Sequence, residues 1–191
     1  MIYLLRHGQT EFNRDGRYQG ALDSPLTDLG RAQASAMGAR LKALIGDPAD
    51  WLLQSSPLGR ARQTAEIVRG EIGVREVVLE PRLREITLGA WDGLTPADID
   101  GQYPGVLDGA GRYEWLFRAP GGEAREALLA RAKHWLEEAL ADPRPRIAVS
   151  HGITGRALCA VVLGTTLEGA RAGETPQDSI FRISAGAVER V

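Results

Sequence analysis

An arginine and a histidine stand side by side at positions 6 and 7, and a glycine, Gly8, follows at once. Arg6 offers a planar fork of donors suited to phosphate or carboxylate, His7 can act as a nucleophile or a base, and Gly8 permits a tight turn that brings amide N–H groups close to an anion. The same construction returns far along the chain as His151-Gly152, where a helix N-terminus and its backbone amides would favour an anion. Two further groups could join them. Arg60 reads either as a solvated helix arginine or as a second anion ligand. A glutamate at 80 or 85, lying among Arg82, Arg84 and Trp91, reads either as an ion-paired surface residue or as a proton donor.

The elements that must position these residues follow from periodicity. Ile2 to Leu5 is a short apolar run that turns polar abruptly, so Arg6 and His7 fall at the carboxyl end of a strand, where open α/β sheets bind ligands. Residues 14 to 24 form a glycine-bearing loop. Thr27 caps a helix whose expected stripe is Leu29, Ala32, Ala36, Met37, Leu41 and Leu44, ending at Gly46. A strand at 51–55 leads into Ser56-Pro57, a start signal for a second helix that carries Arg60 in its first turns. Val77 to Leu79 is a third strand, and residues 80–93 an ordered loop. Between Thr95 and Gly122 prolines and glycines punctuate short pieces, expected to form a small cap with a helix near 96–102. A helix over 123–141 has a stripe of Leu128, Ala132, Trp135, Ala139 and Leu140, with His134 on the surface. A strand at 147–150 ends in His151, a helix runs through 156–163 to Gly164, and two strands near 177–183 and 188–191 form an antiparallel edge. The alternation of strand and helix predicts one domain over residues 1–191, a three-layer α/β/α fold on a mostly parallel sheet.

The motifs themselves resemble those of a known family. Arg6-His7-Gly8-x-Thr10-x-x-Asn13 resembles the signature of the histidine phosphatase superfamily, the phosphoglycerate mutase-like proteins. Asp23-Ser24-Pro25-Leu26-Thr27, the set Ser56, Arg60, Ala61 and Thr64, the run Leu83-Arg84-Glu85 to Gly89, Trp91 and Gly93, and Ser150-His151-Gly152 resemble further family segments in the family's order. Gly121-Gly122-Glu123 resembles another, but Ala124 replaces the usual serine, which puts the cap of the next helix in doubt.

The resemblance implies a mechanism. His7 attacks phosphorus in line. Arg6, Asn13, Arg60 and His151, with Gly152 and the backbone near Gly20, hold the phosphoryl oxygens. Glu85, chosen over Glu80 by the pattern, protonates the leaving oxygen and then activates water. Neither a metal nor a cofactor is called for. Arg112, Tyr113, Trp115 and Arg118 in the cap are the expected place of substrate choice. A phosphatase is favoured over a cofactor-dependent phosphoglycerate mutase because only 65 residues separate Glu85 from His151 and the chain ends soon after its last strand pair, so water should reach the intermediate.

Composition narrows the partners. The chain has 191 residues, 43% hydrophobic and 25% charged, with a net charge of −2, and no run of Lys or Arg that would serve nucleic acid or a membrane surface. It shows no leader and no apolar stretch of ~18 residues. The single cysteine, Cys159, sits in an apolar run, which fits a core position and a cytoplasmic protein. The expected partner is a small phosphorylated metabolite, and the oligomeric state is open. A zinc site built from His7, Glu85 and His151 lacks local ligand spacing and would place Arg6 beside a dication. A non-catalytic phospho-ligand module on the same fold is the other alternative.

Overall fold

A computed structural model describes residues 1–170 and 176–191. The chain runs β1 (Ile2–Arg6), α1 (Glu11–Arg14), α2 (Asp28–Leu44), β2 (Leu52–Ser55), α3 (Gly59–Ile72), β3 (Val77–Leu79), α4 (Pro96–Gln102), α5 (Arg125–Ala141), β4 (Arg146–Ser150), α6 (Gly152–Leu163), β5 (Ile180–Ser184) and β6 (Ala187–Arg190). The strands form one sheet in the order β3-β2-β4-β1-β5-β6. The first four are parallel, and β5 and β6 add the expected antiparallel edge.

Strand alternation sorts the core into two layers. Tyr3 and Leu5 of β1 face one side with Ile147 and Val149 of β4, and pack with Met37, Leu41, Ala61, Ala65 and Val68 of α2 and α3. Ile2 and Leu4 face the other side with Ala148, and pack with Leu128, Trp135, Ala157 and Leu158 of α5 and α6. Each fully buried aliphatic side chain contributes roughly 1.5–3 kcal/mol. The three-layer α/β/α fold is therefore as expected. Among the described residues no helix is long and apolar enough to cross a membrane.

Two apolar stripes differ from expectation. In α2 the buried residues are Gly30, Ala34, Met37, Gly38 and Leu41, whereas Leu29 and Leu44 are 54% and 44% exposed. The reason is close packing on α3. A Cβ at Gly38 would come within 2.7 Å of the Glu71 side chain, so small residues and not the larger leucines define the contact face. In α5, Leu136 takes the buried place expected of Leu140.

Candidate active site

Three parallel strands end together. In the sheet Arg6 pairs with Ser150, and Ser55 pairs with Val149, so the residues that follow, His7, His151 and Ser56, emerge side by side from β1, β4 and β2. The His7 amide extends the ladder to the Ser150 carbonyl at 3.0 Å. The ring centroids of His7 and His151 lie 5.1 Å apart.

The His7 side chain is 3% exposed, and its Nδ1 lies 2.8 Å from the Gly8 carbonyl. A carbonyl only accepts, so Nδ1 carries the proton and Nε2 keeps its lone pair. Burial, and then the positive charges of Arg60 and Arg6, hold the His7 pKa well below its ordinary value of 6.5. His151 is depressed in the same direction by burial, Arg60, His7 and Arg6. Its Nε2 is 2.7 Å from Ser56 Oγ, which also accepts the Leu58 N–H, while its buried Nδ1 has no partner among the described residues.

Gly8 plays a different part from the one expected. Its N–H donates to Thr64 Oγ1 at 3.1 Å and is committed to α3. The glycine is required by proximity, since a Cβ there would sit 2.2 Å from the Gly30 carbonyl oxygen at the start of α2. The backbone carbonyls near Gly20 hold Arg60. Arg60, 1% exposed, donates through Nη2 to the Gly20 carbonyl at 2.9 Å and through Nη1 to the Leu22 carbonyl and Asp23 Oδ1 at 2.7 and 3.0 Å. Its Nε is left without a partner among the described residues. Asp23 in addition receives the Gly59 and Arg60 amides and so caps α3, which begins at Gly59 and not at the Ser56-Pro57 signal.

Asn13 closes a capping box with Thr10: its Oδ1 accepts the Thr10 N–H while its own amide donates to Thr10 Oγ1. Glu85 is held at the start of α6. Its Oε1 accepts the Ile86 and Thr154 amides at 3.1 and 2.9 Å and the Thr154 hydroxyl at 3.0 Å, and Oε2 accepts the Ile153 amide at 3.0 Å. That helix starts at Gly152, one turn earlier than expected, with His151 as its N-cap residue. Glu80, the alternative acid, is paired with Arg82 and receives its backbone amide.

These residues border a cavity of about 540 Å³ lined by Arg6, His7, Asn13, Arg60, Glu85 and Gly152 at its inner end. His151 lies behind this surface, against His7. Arg112, Tyr113 and Trp115 form part of the outer wall, but Arg118 does not: its Nη1 bonds the Val106 and Asp108 carbonyls and its Nη2 pairs with Glu114, which ties the cap to itself. Sequence reasoning missed Tyr18, which packs on Trp115 at 4.9 Å, and Arg156, whose guanidinium lies 4.3 Å over Tyr113. Arg156 follows the His151-Gly152 motif by one helical turn, and that spacing was its available signal. Among the described residues no three His, Cys, Asp or Glu side chains are grouped so as to hold a metal.

The chain is similar to known proteins in sequence and in fold. The sequence model of the family described as "Histidine phosphatase superfamily (branch 1)" matches residues 2–188. A glucosyl-3-phosphoglycerate phosphatase of Mycobacterium tuberculosis (strain CDC 1551 / Oshkosh) is 38% identical over 172 residues, covering 85% of this chain and 74% of the relative. A probable phosphoglycerate mutase GpmB of Photorhabdus laumondii subsp. laumondii is 38% identical over 171 residues, with the same shares of 85% and 74%. A solved structure of the mycobacterial glucosyl-3-phosphoglycerate phosphatase in complex with VO3 superposes with a TM-score of 0.75 at 31% identity, covering 100% of this chain and 95% of that one.

Proposed function

Because the chain belongs to the histidine phosphatase superfamily and is a phosphoric monoester hydrolase, we propose that its reaction runs through phosphorylation of His7 Nε2 within one domain. The observation that carries this is the Nδ1–H bond to the Gly8 carbonyl, which fixes the tautomer with its lone pair on Nε2. In the first step Nε2 forms a bond to phosphorus as the bridging P–O bond breaks. The leaving oxygen takes its proton from Glu85. In the second step Glu85 takes a proton from water as the water oxygen bonds phosphorus and the P–N bond breaks, which releases phosphate.

The remaining groups supply charge and donors to the phosphoryl oxygens. Arg6 and the Arg60 Nε serve as cations, and Asn13 and the Gly152 amide as neutral donors. His151 joins them when Ser56 Oγ–H donates to its Nε2, because its proton then lies on Nδ1, the atom left without a partner among the described residues.

The substrate is a small phosphorylated metabolite, and a phosphorylated glycerate or its glycoside fits the outer cavity. Arg17, Arg112 and Arg156 line that end beside Tyr18, Tyr113 and Trp115, so cations for a carboxylate stand next to aromatic walls for a sugar. Glucosyl-3-phosphoglycerate, named for the mycobacterial relatives, is therefore the first substrate to try. A cytoplasmic location suits such a substrate and the free, buried Cys159, whose thiol burial pushes up to about 12.

The reading is tested by phosphate release from 4-nitrophenyl phosphate and from glucosyl-3-phosphoglycerate, with acid-labile labelling of the protein during turnover. His7→Ala should lose turnover and label while remaining folded. Near wild-type activity in that variant would overturn the mechanism. The GpmB-named relatives make a mutase the second reading. Incubation with 3-phosphoglycerate, with and without the 2,3-bisphosphate, should give free phosphate faster than the 2-phospho isomer.

A further inference from the structure

The carboxyl of Glu85 has to serve twice in one turnover, as an acid that gives up a proton and as a base that takes one back. Its two oxygens are not equivalent. Oε1 faces two backbone amides, those of Ile86 and Thr154, and an oxygen already accepting two N–H groups is a poor place for a proton. Among the described residues Oε2 has one donor, the Ile153 amide, and keeps a lone pair for the transferable proton.

The third group at Oε1 is the Thr154 hydroxyl, at 3.0 Å. The same hydroxyl lies 2.6 Å from the Arg84 carbonyl. It has one proton for these two acceptors. The side chain is fully buried, so water offers no third choice. Its oxygen is fixed from behind by Arg131 Nη2 at 3.3 Å, and Arg131 is itself clamped by both oxygens of Glu123 at 2.7 and 2.9 Å and by the Arg82 carbonyl at 2.6 Å. The oxygen therefore stays in place while the O–H bond remains able to turn.

We propose that Thr154 is a positioning residue for Glu85, a hydroxyl rotor that points to the Arg84 carbonyl while Glu85 is protonated and turns to Oε1 once the carboxylate forms. A hydrogen bond to an ionised acceptor is about twice as strong as one to a neutral acceptor, so the turn follows the charge. The rotor stabilises the carboxylate as the proton leaves Oε2 for the bridging oxygen, and releases it when Oε2 takes the proton from water. The inference rests on Glu85 being the proton donor proposed above.

The experiment compares kcat/KM for glycerol 3-phosphate, whose alkoxide must be protonated as it leaves, with that for 4-nitrophenyl phosphate, whose leaving group needs no proton. Thr154→Val keeps the shape and removes the hydroxyl, and should lower the alkyl-to-aryl ratio about tenfold. Thr154→Ser keeps the hydroxyl and should restore the ratio to within about threefold of wild type. If the valine variant fails to fold by circular dichroism, Thr154→Ala is compared with Thr154→Ser in its place. An unchanged ratio in the hydroxyl-less variant, or an equal fall in the serine variant, overturns the proposal. Glu85→Gln is measured alongside. If it leaves the ratio unchanged, the assignment of Glu85 as donor fails and takes the rotor with it; if it lowers the ratio and Thr154→Val does not, the rotor alone falls.

Discussion

His7 and His151 close two adjacent parallel strands with their rings tilted by 58° and their centroids 5.1 Å apart, both buried and both beside Arg6 and Arg60. Two histidines so placed are kept neutral in the folded chain. The unfolded chain protonates them near the ordinary 6.5, and the folded chain only at much lower pH. Below 6.5 the unfolded state therefore binds protons that the folded state does not, and stability falls as pH falls. Above 6.5 neither state is protonated and the effect vanishes. Each histidine adds a slope of at most about 1.4 kcal/mol per pH unit in that acid window. Urea unfolding at pH 7.5, 6.5 and 5.5 should show His151→Gln losing less stability on acidification than wild type. Equal acid slopes would contradict the neutral pair.

Glu85→Gln should reduce hydrolysis of glycerol 3-phosphate at least ~100-fold and that of 4-nitrophenyl phosphate much less, because only the first needs a proton on its leaving oxygen. Equal losses would make Glu85 a structural ligand of the α6 amides that it already accepts.

Gly8→Ala places a methyl 2.2 Å from the Gly30 carbonyl oxygen, with backbone on both sides and no flexible atom to yield. Destabilisation of about 3 kcal/mol or more is expected, with loss of activity as β1 and α2 are forced apart. Thermal unfolding within a degree of wild type would refute the contact.

Helix α5 is preceded by Ala124, whose backbone at φ −69° and ψ 148° suits a capping residue but whose side chain makes no capping bond. Ala124→Ser should raise stability by about 1 kcal/mol in urea unfolding, by giving an acceptor to an orphan N–H of the first turn. No gain would mean that those amides are already satisfied by water.

The sequence by itself determined the local pieces of this site. The apolar-to-polar break after Leu5 put Arg6 and His7 at a strand end, and the repeat of His-Gly at 151 announced a second one. The short cap helix expected near 96–102 runs over Pro96–Gln102, with Thr95 as its cap and Pro96 in its first turn, because capping and proline geometry depend on neighbours in the chain. The family pattern then assigned Arg60 and Glu85, which spacing alone had left between two meanings.

Tertiary structure decided everything that depends on which segments meet. Strand β4 enters the sheet between β1 and β2 although it comes last of the three, and that order alone sets His151 between His7 and Ser56. Asp23 caps a helix 36 residues away, Thr154 reaches Glu85 across 69, and Arg118 turns into the cap and away from the cavity. The buried face of α2 was hidden for a related reason: periodicity ranks residues by hydrophobicity, whereas two helices in close contact select by size. Hydrogen bonds and steric contact act over a few ångströms, and distance along the chain does not report distance in space.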